Sequence, residues 1–124
     1  MDPQTAKKFI IIADDNKLIA RVLANKLTAA GYEVVVTQNG DEALQAVAAR
    51  KPDLLLMDLI MPVKDGFNAL KELRANPAYK DIKVVATSDL QQDEDIERVK
   101  QLGVLAFYGK ANLQTLVDAI PQYL

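Results

Sequence analysis

Five side chains stand where a chain of this pattern could gather them for one piece of chemistry: Asp14, Asp15, Asp58, Thr87 and Lys110. Asp58 is the centre. It ends the apolar run of the stretch Asp53 to Gly66, Asp-Leu-Leu-Leu-Met-Asp-Leu-Ile-Met-Pro-Val-Lys-Asp-Gly, which reads as a strand buried on both faces. Pro62 and the Asp65–Gly66 pair then force a turn and stiffen the loop that carries the carboxylate. Three carboxylates brought to one edge repel one another, so cations must be supplied or their pKa values must rise. Lys110 offers one positive charge. The chain has no histidine and no cysteine, and a donor set of hard oxygens favours Mg²⁺. A carboxylate, Mg²⁺, a hydroxyl and an amine form a place to stabilise a phosphoryl group, because in phosphoryl transfer the protein mainly positions the donor and neutralises the equatorial oxygens. In this reading Asp58 is the nucleophile, and the neighbours Asp14 and Asp15 hold the metal.

The elements that must position these groups follow from the hydrophobic pattern. Lys8 to Ala13 reads as a first buried strand, after a tail over residues 1–7. From Asn16 the period becomes helical through Ile19, Val22, Leu23, Leu27 and Ala30, with Gly31 at the end. Glu33 to Thr37 is a second strand and Asn39–Gly40 a turn. Ala43, Leu44, Val47 and Ala48 form the stripe of a second helix that ends before Pro52. After the central strand, a third helix spans Phe67 to Ala75, with Leu70 and Leu73 inward and Pro77 beyond it. Ile82 to Thr87 is the fourth strand, and the acidic stretch Gln91 to Glu97 opens a fourth helix with Ile96, Val99 and Leu102 inward. Val104 to Tyr108 is the fifth strand. Leu113, Leu116, Val117 and Ile120 mark the last helix.

The alternation predicts an α/β fold, a doubly wound five-stranded parallel sheet with helices on both faces, in one domain over residues 1–124. Both common strand orders place the end of the first strand at the switch point, where ligands bind. Composition narrows the function further. Fifteen basic and 17 acidic residues, with no basic cluster, argue against direct binding of nucleic acid. The apolar run Phe9 to Ala13 is too short for a signal peptide or a membrane span, so the expected location is the cytoplasm. Each site residue also has a plain reading: Asp15 could cap the following helix, Thr87 could simply end a strand, and Lys110 could be a solvated lysine.

Asp14 and Asp15 after an apolar strand, Met-Asp-Leu-Ile-Met-Pro-Val-Lys-Asp-Gly around Asp58, Thr87 after the fourth strand and Lys110 after the fifth resemble the receiver domain of two-component response regulators. The resemblance runs from about Lys8 to Leu124 and implies a flavodoxin-like (βα)5 fold with strand order 2-1-3-4-5. It implies that Asp58 accepts a phosphoryl group from a histidine kinase or a histidine phosphotransfer protein. Mg²⁺ would be held by Asp15, Asp58 and the backbone carbonyl of Ile60, with Asp14 helping through water. Lys110 would pair with the phosphate, and Thr87 would swing its hydroxyl to it. Phe107, whose plain reading is a core aromatic, would turn inward as a switch. Such a protein is a phosphoacceptor that catalyses its own phosphorylation and dephosphorylation, not an enzyme acting on others. Its output is a contact of the fourth helix, fifth strand and fifth helix with a protein target, or regulation of an effector domain in a longer chain. It is monomeric before phosphorylation, with a dimer as an option afterwards.

Two positions depart from the family pattern. Ala111 follows the lysine where a cis proline is usual, and a cis bond without proline costs roughly 3 kcal/mol, so this peptide is either trans with an altered loop or strained. Ser88 stands where alanine is commoner, and Ile60 and Asp89 occupy positions that tune the phosphoryl lifetime. Three other readings fit less well. A Mg²⁺-dependent aspartyl-phosphate hydrolase of the haloacid dehalogenase type needs an Asp where Ile60 stands. A flavodoxin-like cofactor binder needs a phosphate loop where Asp14 and Asp15 would repel phosphate. A receiver-like protein-binding module that no longer switches has only Ala111 in its favour.

Overall fold

The computed structural model describes residues 7–61, 63–88 and 93–124. The expectations for the tail before Lys7, for Pro62, for Asp89 and for Gln91 as the opening of a helix lie outside these residues. Five strands form in chain order: β1 (Phe9–Ala13), β2 (Glu33–Thr37), β3 (Leu54–Asp58), β4 (Val84–Thr87) and β5 (Ala106–Tyr108). Between and after them run α1 (Lys17–Ala29), α2 (Gly40–Ala49), α3 (Gly66–Ala75), α4 (Asp93–Gln101) and α5 (Leu113–Ala119), which passes into a 3₁₀ turn over Ile120–Tyr123. All strand pairs are parallel, in the order β2-β1-β3-β4-β5.

Alternation along the central strands splits the core in two. Phe9, Ile11, Leu55 and Met57 face a cluster closed by Ala43 and Val47 of α2, Leu70 and Leu73 of α3 and Val99 of α4. Ile10, Ile12, Leu54 and Leu56 face Leu23 and Leu27 of α1 and Leu116, Val117 and Ile120 at the end of the chain. Burial on both faces is why β1 and β3 read as unbroken apolar runs rather than alternating ones.

Side-chain caps fix where the helices start. Asn16 accepts from the Ile19 amide at 3.1 Å, Asn39 from Glu42 at 2.9 Å, Asp65 from Asn68 at 2.9 Å and Asn112 from Thr115 at 3.1 Å. The cap of α1 is therefore Asn16, which leaves Asp15 free of that duty. Asn39 is likewise a cap, with Gly40 already in the helix. At the other end of α1, Gly31 takes φ +100°, and the Tyr32 amide reaches back to the Leu27 carbonyl at 3.1 Å, closing the helix as the glycine predicts.

Two strands are shorter than the apolar runs that contain them. β4 begins at Val84 because the Ile82 carbonyl accepts from Arg74 Nη1 at 2.8 Å instead of joining the ladder. β5 begins at Ala106, since the Val104 amide is spent on the end of α4, donating to the Val99 carbonyl at 3.3 Å. Arg74 also donates to the carbonyls of Lys80 (2.9 Å), Leu102 (2.8 Å) and Gly103 (3.2 Å), and so pins the ends of α3 and α4 to the approach to β4. No helix of the described residues is long and apolar enough to cross a membrane.

Candidate functional site

The site forms where β1, β3, β4 and β5 end together. In the ladder Asp58 stands beside Thr87 and Thr87 beside Tyr108, with Gly109 and Lys110 just beyond, so the order of strands alone delivers the predicted set to one edge. Asp58 is 2% exposed and Asp14 1%, with Thr87 also buried, whereas Asp15 is open to solvent. Carboxylate oxygens of Asp14, Asp15 and Asp58 lie within 4.8 Å of one another.

Lys110 bridges the two buried acids. Its Nζ is 2.7 Å from Asp58 Oδ2 and 2.9 Å from Asp14 Oδ2. Asp58 Oδ1 accepts from the Ile60 amide at 3.1 Å, and Asp14 Oδ1 from the Asn16 amide at 2.8 Å. The Lys110 contact leaves the buried Asp14 Oδ2 without a well-formed hydrogen bond. One lysine does not satisfy three carboxylates.

The titration of the pair follows from this crowding. Burial pushes the Asp58 carboxyl above its ordinary value, and the hydrogen bonds from Lys110 and the Ile60 amide pull it back only in part, with the Asp14 charge adding to the rise. Burial alone would lower the Lys110 ammonium, yet its contacts with Asp58 and Asp14 outweigh that and raise it. The lysine gains from two anions while Asp58 shares one cation with a rival. The oxygen donors and the excess of carboxylates over the single lysine suit a hard divalent cation.

Local packing holds the carboxylate in place. A Cβ on Gly66 would run into the Asp58 carbonyl and come within 2.8 Å of Leu59 Cα, so only glycine lets α3 start this close to the end of β3. The Gly66 amide closes the loop by donating to the Leu59 carbonyl at 3.0 Å. Phe107 lies partly buried against the cluster of α2, α3 and α4, on the opposite side of β5 from Tyr108. The Lys110–Ala111 peptide is trans, like every other bond among the described residues. The substitution of proline therefore does not keep Lys110 from Asp58. Ser88 is buried beside Thr87, its amide donating to the Tyr108 carbonyl at 3.0 Å.

Sequence reasoning singled out the groups at the strand ends and missed those that brace them. Lys64 and Gly40, which fasten the outer part of the β3–α3 loop, leave no periodic mark on the sequence, although an Asn-Gly pair before a helix hints at a close approach.

Comparison with known proteins agrees with this architecture. The chain is 32% identical over 118 residues to the polar-differentiation response regulator DivK of Brucella anthropi, covering 94% of this chain and 96% of the relative. The solved structure of the chemotaxis response regulator CheY4 of Vibrio cholerae superposes with a TM-score of 0.88 at 27% identity, covering 96% of this chain and 100% of that one. The phosphorylated cyanobacterial phytochrome response regulator RcpA gives a TM-score of 0.83 at 33% identity, over 94% and 91% of the two chains. Residues 10–121 match the response regulator receiver domain across both ends of the sheet and all five helices, and the chain belongs to that family.

Proposed function

We propose that this protein is a phosphorylation-dependent switch whose phosphoacceptor is Asp58. The observation that carries the reading is the pairing of a buried, proton-favouring Asp58 with Lys110 at 2.7 Å inside a cluster of three carboxylates. An Asp58 oxygen attacks phosphorus of a phosphohistidine on a histidine kinase or phosphotransfer protein. The P–N bond breaks, the new P–O bond forms, and the electron pair leaves with the imidazole nitrogen. Mg²⁺ held by Asp15, Asp58 and the Ile60 carbonyl, with Asp14 behind it, would neutralise charge on the phosphoryl oxygens. Lys110 moves its hydrogen bond from the carboxylate to a phosphoryl oxygen, which frees it from a crowded site and offsets the new charge. Thr87, in register with Asp58 at the same edge of the sheet, turns its hydroxyl to the same group. Phe107, next to Thr87's ladder partner Tyr108 and partly buried against the core, then packs deeper against it, and the surface of α4, β5 and α5 changes for a protein target or an attached effector domain. Water attacking the same phosphorus breaks the Asp58 O–P bond, frees the carboxylate and releases inorganic phosphate.

Intact mass after incubation with acetyl phosphate tests the acceptor. The wild type with Mg²⁺ gains one phosphoryl group, while EDTA or Asp58→Asn abolishes the gain. A gain that persists in Asp58→Asn would move the acceptor elsewhere, and no gain under any condition would leave a receiver fold that binds partners without switching.

A further inference from the structure

The loop from β3 to α3 leaves the core at Leu59, touches it again at Met61, and then runs outward to Val63, which is 82% exposed with φ +68°. A β-branched residue disfavours that left-handed conformation, so something beyond local preference holds the outer half of the loop. Lys64 does. Its carbonyl accepts from the Gly40 amide at 2.8 Å, and its Nζ lies 3.0 Å from Asp41 Oδ1 on α2 and 2.6 Å from Glu72 Oε1 on α3. The approach to α2 requires glycine, because a Cβ at position 40 would stand 2.6 Å from the Lys64 carbonyl oxygen and 2.9 Å from Lys64 Cγ.

We infer that Lys64 is a positioning residue for the acidic site, fixing the outer β3–α3 loop to α2 and α3 so that the Ile60 carbonyl is held ready for a divalent cation. The inference rests on the metal reading proposed above. Single exposed ion pairs contribute little, and Asp41 and Glu72 are each about half exposed. Here, though, one side chain that is only 22% exposed joins two helices, and its own backbone is bonded to one of them. Several weak ties on one residue restrict a loop that none would restrict alone. Ile60 needs such help because it is 55% exposed and is held at the site by its amide bond to Asp58, with no packing of its own side chain in the core.

The sign of the expected effect separates position from charge. Removing Lys64 takes a positive charge from the domain and leaves Asp41 and Glu72 without their partner, which by charge alone would tighten the binding of a cation. Loss of the brace weakens it. In Mg²⁺ titrations of the full chain followed by amide NMR, Lys64→Met is expected to bind about three- to tenfold more weakly than wild type, from the loss of two or three modest ties. Lys64→Arg, which keeps the charge and reach, restores most of the affinity, and the Gly40 and Ile60 amide signals move in Lys64→Met before any metal is added. Affinity in Lys64→Met that is unchanged or tighter overturns the inference, leaving Met61 as the sufficient anchor, and so does a fall in thermal stability with unchanged Mg²⁺ affinity. A wild type without a saturable response overturns the metal reading and this inference together, an outcome distinct from failure of the brace alone.

Discussion

Asp58 is kept in a state that its surroundings oppose. Burial and the neighbouring Asp14 raise its pKa, so the folded protein binds a proton there more tightly than the unfolded chain does. Folding stability therefore falls as pH rises from the ordinary carboxylate value through the raised one, and above that window the ionised group is a standing cost. Asp58→Asn removes the charge and keeps one acceptor oxygen, which can serve the Ile60 amide or Lys110 but not both because the two bonds end on different carboxylate oxygens, and Lys110 retains Asp14. The variant is expected to be more stable than wild type by about 1 kcal/mol at neutral pH, a typical gain where function has been kept at the expense of stability. The gap should close as pH drops through the window. Urea unfolding of both proteins at several pH values checks this, and an Asn variant that is less stable at neutral pH would mean that the Lys110 pair outweighs the crowding. Lys110 has the opposite linkage: its raised pKa adds stability that is present at neutral pH and is lost only as pH climbs past the raised value.

The junction of β3 and α3 is the element on which the site depends most, because α3 starts against the backbone of Asp58 itself. Gly66→Ala forces a methyl group into backbone that cannot give way as a side chain would. It is expected to lose about 2 kcal/mol or more of stability and most phosphoryl acceptance, since the carboxylate moves with its strand end. Gly31→Ala is the matched control. Gly31 has φ +100° but open space around its Cβ, so the cost there is backbone strain of about 1 kcal/mol with acceptance unchanged. Equal acceptance in the two variants would show that the junction does not govern the site. These junctions also mark how far the sequence could be read. β1 and β3 and the residues at their ends were legible because a strand buried on both faces gives an unbroken apolar run that stops at the first charge. β4 and β5 were read too long, because Ile82 and Val104 are apolar like strand residues while their hydrogen bonds go to Arg74 and Val99. Asp15 and Asn16 are both capping types, and only geometry chose Asn16. The Lys64 brace was invisible, for its partners lie on two other elements and ion pairs carry no period.

Across the whole molecule, the charge imbalance resides at the site. Setting aside Asp14, Asp15, Asp58 and Lys110, the 15 basic and 17 acidic residues reduce to equal numbers, so the net charge of −2 is that of the cluster. A field of one sign focused at one edge of an otherwise balanced domain draws cations there. Because a ligand that binds only the folded state stabilises it, Mg²⁺ at about ten times its dissociation constant is expected to add roughly 1.4 kcal/mol, or about 4–7 °C in Tm for a domain of this size. General screening would also relieve the repulsion among the carboxylates, so NaCl at matched ionic strength is the necessary comparison and is expected to raise Tm by less. Asp15→Asn separates the two effects further. Asp15 is exposed and is not the helix cap, so its loss leaves the fold intact and should abolish most of the Mg²⁺ increment while preserving the response to NaCl. Thermal melts of wild type and Asp15→Asn in the two salts would decide the matter: an equal rise in both salts, or the same Mg²⁺ increment in the variant, would make the cluster a screened acidic patch instead of a metal site.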